Sequence, residues 1–236
     1  MKEDKAPGPD GFTVNFFHAC WEMLKYEIWE MVEESRCSQK IPIALNATFL
    51  TLIPKVENVS TPNKFRPISL CNVLCKIVTK VIANHLKPLL PSLISLEQTG
   101  YVGGCQILDG IILAHEVIHS LKITKNPGMM LKLDLSKYFD KLNWNFIGKV
   151  LKAFGFHHSW IKWILNLITT PLFYVLINGV PSNPFNPSRG IRQGDLLSPF
   201  LFILMSKGLW HMLKNSNATG SLKGLSLHDH TPLTHQ

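Results

Sequence analysis

The sequence has few cysteines and no pattern that would make them a disulfide framework. It holds five in 236 residues, an odd number at irregular spacings, whereas disulfide-rich secreted domains carry even numbers at regular spacings. Cys71 and Cys75 lie four residues apart, but no second pair of ligands completes a zinc site around them. We therefore expect buried free thiols at both positions.

Long apolar runs are also absent. The longest candidate, residues 160–177, is interrupted by Lys162, Asn166 and Pro171, and a membrane-spanning helix needs about 20 consecutive apolar residues. No N-terminal signal pattern is visible. These absences predict an intracellular protein of the nucleus or cytoplasm that is not secreted and has no membrane partner.

Acidic residues are scarce outside the first 34 positions. The chain has 24 Lys and Arg against 16 Asp and Glu, a net charge of +8. Residues 1–34 hold three basic and eight acidic residues, so residues 35–236 hold 21 and eight, a surplus of thirteen positive charges. Such a surplus favours a polyanionic partner, because each neutralised phosphate releases a counterion. Basic surfaces also serve solubility alone, so charge by itself leaves both interpretations open.

The central stretch M-L-K-L-D-L-S-K-Y-F-D-K-L-N-W, residues 130–144, predicts a strand followed by a helix. Three leucines alternate with Lys132 and Asp134, the period of a strand with one buried face. Asp134 therefore lies near the strand end on the open face, and Ser136 can cap the helix that follows. This placement suits a metal ligand, and a solvated aspartate is the alternative.

Residues 48–70 predict two strands joined by a polar loop. If the strands pair, Lys55 and Arg66 lie near one another at the loop end, with Lys64 close by. Cations on such a hairpin can hold a triphosphate, Arg66 through bidentate contacts and Lys55 as a point charge. They can equally be ordinary surface residues.

Two amphipathic helices are expected on either side of residue 100. Residues 73–87 place Lys76 and Lys80 on a basic stripe that could follow a template backbone, or that is simply a solvated face. The helix over residues 107–122 is expected to turn Ile111 and Ile118 inward.

The segment R-G-I-R-Q-G-D, residues 189–195, precedes a helix that Ser198 and Pro199 begin. Its two glycines would let the backbone approach a ligand closely, and Gln193 can donate a hydrogen bond to a base or sugar. A loop that enters a helix in this way commonly binds phosphate or nucleic acid, although glycine and serine are also good turn residues.

Three phrases give the chain a family resemblance. D-L-S-K-Y-F-D-K-L-N-W, with P-G-P-D-G-F upstream and G-I-R-Q-G-D-L-L-S-P-F-L-F downstream, resembles the reverse transcriptases of non-LTR (LINE-type) retrotransposons, particularly the plant lineages. The resemblance covers nearly the whole chain in the family's order. It implies an α+β fold, an incomplete right-hand polymerase with an antiparallel sheet and packed helices. Residues 1–125 would form a fingers-like region and residues 126–236 a partial palm-like region of one continuous domain.

The resemblance also implies a reaction and its residues. The reaction is the addition of deoxynucleoside triphosphates to a DNA primer on an RNA template, by a monomer that uses two Mg²⁺ ions. Asp134 would bridge the ions, and the Leu135 carbonyl would add a ligand. Phe139 would screen the 2′ position of the sugar. The remaining roles are nucleotide binding by Lys55, Arg66, Leu135, Gln193 and Gly194, and nucleic-acid contact by Lys76, Lys80 and Arg192.

One family element is missing from this sequence. The family's other catalytic carboxylates come from an aromatic-Ala-Asp-Asp turn, and the sequence contains no Asp-Asp pair. A single aspartate does not hold two dications tightly, so we expect an RNA-directed DNA polymerase domain that is catalytically incomplete. The alternatives are a non-catalytic nucleic-acid-binding remnant and a truncated relic without function, whose sheet would expose an unpaired edge.

Overall fold

The computed structural model describes residues 5–94, 107–125, 130 and 137–222, which form a mixed α and β fold. The chain separates into two compact units, each assembled from two stretches: residues 1–85 with 137–198, and residues 86–136 with 199–236. The division at residue 125 into fingers-like and palm-like regions stays a prediction.

In chain order the elements are α1 (Val14–Ala19), α2 (Trp21–Ser38), β1 (Thr48–Pro54), β2 (Phe65–Cys71), α3 (Val73–Leu86), α4 (Leu90–Leu93), α5 (Ile107–Thr124), α6 (Tyr138–Lys141), α7 (Trp144–Ala153), α8 (His158–Thr169), β3 (Phe173–Ile177), β4 (Val180–Pro181) and α9 (Ser198–Ala218), with short 3₁₀ turns at Pro62–Lys64 and Lys87–Leu89.

The first unit begins with two consecutive helices, α1 and α2. Thr13 caps α1 by accepting a hydrogen bond from the Phe16 amide, and Cys20 separates α1 from α2. The two helices pack on α3 because their apolar sides face a common core. The members of this core are Val14, Phe17, Ile28 and Val73, with Leu24, Met31, Leu74 and Ile77 packed against them.

The sheet of the first unit has the strand order β2-β1-β3-β4. β1 pairs with β2 antiparallel and with β3 parallel, so the sheet is mixed and the expectation of an antiparallel sheet holds only in part. The parallel pair is compatible with the topology, since β2 and several helices lie between β1 and β3 in the chain and a crossover of this length can return the chain in the same direction. Asn178 and Gly179 have φ angles of +51° and +81°, as the tight turn between β3 and β4 requires.

Helices α7 and α8 cover the first unit on the side of α2. Gly155 has a φ of +81° just beyond α7, a backbone conformation that favours glycine after the end of a helix. Trp163 of α8 donates its indole N–H to Oγ of Ser35 in α2 at 2.8 Å. The buried members of this helix pair are Ile147, Val150, Leu151, Trp163, Ile164, Leu167 and Ile168.

The second unit consists of helices in its described part. Leu201, Leu204 and Met205 of α9 are fully buried. In α5, Ile111 and Ile118 are 50% and 38% exposed, so the expectation that they point inward is wrong. The apolar residues of α5 occur all round the helix, so the periodicity did not define a single buried face. In the described residues, no helix combines the length and the apolar character that crossing a bilayer would require.

Candidate functional site

The β1-β2 hairpin brings three cations together. Its register sets Ile53 opposite Arg66, and the Lys55 amide donates to the Lys64 carbonyl at 2.9 Å. Opposed residues of an antiparallel pair share a face, and residues two apart in a strand do so as well. Lys55, Lys64 and Arg66 therefore lie on one face at the loop end, and all three are exposed. The predicted proximity is confirmed, whereas their contact with a nucleotide stays a prediction.

The loop of residues 189–195 runs along the outer edge of β2. The Ser69 amide donates to the Gln193 carbonyl at 2.7 Å. Gly194 has a φ of +106°, and a methyl group added there would lie 3.1 Å from the Ser69 oxygen and 3.7 Å from Cγ2 of Ile68. Ile68 is two residues from Arg66 in the same strand, so Gly194 borders the face that carries the hairpin cations.

The same loop is held against the turn formed by α6. The Ile191 amide donates to the Phe139 carbonyl at 2.8 Å, and the Gly190 amide donates to the Leu142 carbonyl at 2.7 Å. Trp144 donates its indole N–H to the Gly190 carbonyl at 2.7 Å. A methyl group on Gly190 would lie 2.8 Å from the Asp140 carbonyl oxygen. These glycines thus permit close approach of the protein's own backbone, where the sequence suggested approach to a ligand.

Gln193 is oriented by a carboxylate that the sequence had not singled out. Its Nε2 donates to Oδ1 of Asp140 at 3.0 Å, in a partly buried position. Because an ionised carboxylate only accepts hydrogen bonds, this contact directs the amide nitrogen of Gln193 to Asp140 and leaves its oxygen available as an acceptor. Both side chains border a pocket of about 160 Å³ in the first unit. Other residues lining it include Leu50, Pro67, Ser69, Phe173, Phe185 and Arg189.

The structure corrects the assignment of Arg192 as a nucleic-acid contact. Its side chain is buried, with 4% of the residue exposed. Nη1 donates to Oδ1 of Asn46 at 2.6 Å, and Nη2 lies 3.3 Å from Oδ2 of Asp195. Burial opposes the charge of the guanidinium, but the negative charges that Cys75, Cys71 and Asp195 carry when ionised favour it and raise the pKa of Arg192 above its ordinary value. Nη1 also lies 3.5 Å from Sγ of Cys75 in α3. Arg192 is therefore an internal cation that fixes the loop to α3 and to the segment that precedes β1.

Asn46 links this buried cation to the helical layer. Its Nδ2 donates to the Leu167 carbonyl and to Oγ1 of Thr170, both at 3.0 Å. The thiols of Cys71 and Cys75 are free and fully buried, which confirms the prediction for both. Burial raises the pKa of the Cys75 thiol to about 12, so it is a neutral member of the cluster at physiological pH.

The two lysines of α3 have different surroundings. Lys80 is exposed and Lys76 is half-buried. Burial raises the pKa of the Asp10 carboxyl, and the hydrogen bond from the Phe12 amide and the charge of Lys76 partly oppose this rise. Lys76 therefore interacts with the turn at residues 8–11, and Lys80 is the more accessible of the two to a template.

Asp134 and Leu135, to which the resemblance gives the metal, lie outside the described residues. Across residues 5–94, 107–125, 130 and 137–222, no group of three or more His, Cys, Asp and Glu side chains could hold a metal ion. Phe139 is half-buried in α6, directly beside the Gln193 loop through the bond to Ile191. The described part of the site therefore consists of cations, an amide, the Asp140 carboxylate that orients this amide, and an aromatic ring.

Sequence reasoning missed Asn46, Asp140 and Asp195. Asparagine and aspartate are usually surface or turn residues, and their burial becomes visible only when a distant partner is known. Asp140 carried one usable signal, since it lies six residues after Asp134 inside the phrase that holds the resemblance.

This arrangement of hairpin, α6 turn and glycine-bounded loop coincides with a family match. The sequence profile described as "Reverse transcriptase (RNA-dependent DNA polymerase)" matches residues 53–227. The match covers most of the chain, including Arg66, Phe139 and Gln193. The chain therefore belongs to the reverse transcriptase family, as its three phrases predicted.

Similar proteins carry the names of mobile elements. The chain is 29% identical over 204 residues to the "Transposon TX1 uncharacterized 149 kDa protein" of Xenopus laevis, covering 86% of this chain and 16% of that protein. It is 28% identical over 211 residues to the "Retrovirus-related Pol polyprotein from type-2 retrotransposable element R2DM" of Drosophila melanogaster, covering 88% and 19%. These relatives bear out the resemblance to non-LTR retrotransposons, and the chain spans less than a fifth of their length.

A shorter similarity points to a plant protein. The chain is 44% identical over 62 residues to the "Uncharacterized mitochondrial protein AtMg01250" of Arabidopsis thaliana, which covers 25% of this chain and 51% of that protein. A plant origin stays a prediction, because this match covers only a quarter of the chain.

Proposed function

We propose that this chain is the nucleotide- and template-binding part of an RNA-directed DNA polymerase of a non-LTR retrotransposon. In this proposal it has the fingers and part of the palm of a right-hand polymerase. The observation that supports it best is the family match over residues 53–227, within which one loop is bonded both to the cationic hairpin and to the α6 turn.

Each part of the described site has a role in this proposal. Lys55 and Arg66 bind the triphosphate, since an exposed guanidinium and ammonium on one face complement its negative oxygens. Gln193 and Gly194 line the position of the incoming nucleotide. Phe139 lies against its sugar and disfavours a 2′-hydroxyl by steric exclusion.

The metal chemistry falls to residues outside the described part. Asp134 and the Leu135 carbonyl would hold Mg²⁺, which when bound favours loss of the primer hydroxyl proton and neutralises charge on the leaving pyrophosphate. The sequence has no adjacent pair of aspartates, and Mg²⁺ prefers six oxygen ligands. We therefore propose that these 236 residues by themselves bind substrates without turning them over.

A primer-extension assay with the purified chain tests this function. We expect deoxynucleoside triphosphates to bind with an affinity that Arg66→Gln lowers, and we expect no extension of a DNA primer on an RNA template. DNA synthesis that requires Mg²⁺ and disappears in Asp134→Asn would overturn the proposal that the chain is catalytically incomplete. Absence of triphosphate binding in a folded protein would overturn the nucleotide site.

The positive surplus of residues 35–236 favours one alternative, a nucleic-acid-binding protein without a nucleotide site. In that case binding to RNA would weaken steeply with salt, while deoxynucleoside triphosphates would bind no better than inorganic phosphate. The comparison of triphosphate and phosphate affinities separates this alternative from the polymerase proposal.

A further inference from the structure

The outer side of α2 presents large apolar side chains to solvent. Met23 is 71% exposed, Tyr26 70% and Trp29 64%. We call these three residues, which follow one another at intervals of three along the helix, the aromatic face of α2. These residues do not contribute to the core of the first unit, because α2 makes its core contacts with the opposite side, where Ile28 and Val32 are buried. Contiguous apolar patches of this kind on a folded surface commonly mark interaction sites.

Acidic side chains border this face. Residues four apart are neighbours on a helix, and a glutamate follows Met23, Tyr26 and Trp29 at that spacing. Glu33 pairs with Arg36 at 2.6 Å, so its charge is engaged within the helix. The other two acidic neighbours, Glu27 and Glu30, form an exposed stripe with Glu34, which lies four residues after Glu30. No ion pair of these three glutamates occurs among the residues that the structure describes.

The face also has a shallow depression suited to an apolar anchor. Lys25, Tyr26 and Trp29 line it. The Lys25 ammonium lies 5.5 Å from the centre of the Tyr26 ring and is paired with Glu22 at 2.5 Å. Exposed tryptophan and tyrosine beside a depression are the residues that most often dominate the energy of a protein interface.

Charge separates this surface from the rest of the chain. The helix holds five glutamates against one lysine and one arginine, in a chain whose net charge is +8. Glutamates at the edge of the aromatic rings would repel the phosphates of a nucleic acid, although exposed aromatic rings could otherwise stack on bases. A cationic partner instead gains from both the rings and the carboxylates.

We propose that the aromatic face of α2 is a docking site for a lysine- and arginine-rich amphipathic segment of another protein. The partner's apolar side chains lie on Met23, Tyr26 and Trp29, and its cations pair with Glu27, Glu30 and Glu34. This surface is formed by α2 alone, so its binding is independent of the nucleotide site proposed above.

The test measures binding of a fluorescent amphipathic peptide of leucine and lysine to the whole chain by anisotropy, beside a peptide in which glutamate replaces lysine. We expect the lysine peptide alone to bind, and its affinity to fall with added salt. Replacing Tyr26 and Trp29 together by alanine should weaken binding by about tenfold or more, the loss of at least one interface hot spot. Glu27→Lys with Glu30→Lys should weaken it comparably.

Matched controls lie away from α2. Ile177→Ala with Val180→Ala removes equally exposed apolar side chains, and Glu57→Lys reverses an exposed charge in the hairpin loop; neither should change the affinity. Equal binding of the two peptides, or unchanged affinity in the α2 variants, would overturn the proposal. The proposal would also be overturned if the protein formed a dimer or an RNA complex that the Tyr26 and Trp29 substitutions abolish. The aromatic face would then bind a second copy of the chain or a nucleic acid.

Discussion

Gly190 is the residue at which the 189–195 loop comes closest to the α6 turn. Its φ of +92° and the 2.8 Å between an added methyl group and the Asp140 carbonyl oxygen leave no room for a side chain. Gly155 has a φ of +81° with open space around it. A side chain at Gly155 would therefore face the same unfavourable backbone conformation as one at Gly190, but it would not clash with neighbouring atoms.

Gly190→Ala should therefore destabilise the protein more than Gly155→Ala. We expect about 1 kcal/mol for the positive φ in both variants and roughly 1–3 kcal/mol more for Gly190→Ala, because the clashing atoms belong to the backbone and must move. Urea unfolding followed by circular dichroism measures both. Equal losses would show that the loop and α6 separate without cost.

Asp140 is expected to act through Gln193. Asp140→Ala removes the acceptor that orients the Gln193 amide, so the affinity for a deoxynucleoside triphosphate should fall by about 1 kcal/mol, or roughly fivefold. Asp140→Asn keeps an acceptor oxygen and should lose less. Equilibrium titration with a fluorescent triphosphate gives the affinities, with Glu116→Gln, at an exposed position of α5, as the control. An unchanged affinity in Asp140→Ala would mean that Gln193 does not contact the nucleotide.

At the scale of elements, the buried guanidinium of Arg192 joins the loop to α3 and to the segment that precedes β1. Arg192→Met leaves Asp195 buried without its cation, and we expect a loss of about 3–5 kcal/mol in the free energy of unfolding. The double variant Arg192→Met with Asp195→Leu should recover part of it, since neither charge then remains. Arg189→Met, at an exposed position of the same loop, should change little.

Chemical denaturation of these variants measures the effect. A small loss in Arg192→Met, comparable to that of Arg189→Met, would show that water reaches the cluster. It would also reopen a surface role for Arg192.

The hairpin is expected to act as a unit in binding the triphosphate. Lys55→Gln and Arg66→Gln should each weaken triphosphate binding, by up to about 1.5–3 kcal/mol for a lost charged hydrogen bond, while a nucleoside binds equally well. Arg66→Lys should not restore full affinity, because an ammonium lacks the planar pair of donors. Lys80→Gln, on α3, is the matched loss of charge. If Lys80→Gln lost as much triphosphate affinity as the hairpin variants, the effect would come from the overall positive charge of the protein and not from contacts made by the hairpin.

At the scale of the whole molecule, the positive surplus should dominate association with nucleic acid. The logarithm of the affinity for single-stranded RNA is expected to fall linearly with the logarithm of the salt concentration, by about 0.7 for each phosphate neutralised. If α3 contacts the template backbone, Lys80→Gln should lower the magnitude of this slope by about 0.7, the contribution of one phosphate contact. Lys152→Gln on α7 is the control, and filter binding over a salt series gives the slopes. Equal slopes for both variants would remove α3 from the interface.

The sequence alone was sufficient for local structure and family. Strand-like runs separated by turn residues located β1 and β2, because these signals act between neighbours in the chain. The phrases around Asp134 and Gln193 identified the family, because the order of motifs is a property of the chain itself.

Contacts between distant residues were decided only by the tertiary structure. Arg192 looks like any other cation of a basic chain, and it is internal only because Asn46, 146 residues away, and Asp195 surround it. Gly190 and Gly194 indicated close approach, but only the fold could say that the approaching groups are the protein's own carbonyls. Local patterns depend on backbone geometry within a few residues, whereas burial and pairing depend on which distant segments fill the same space.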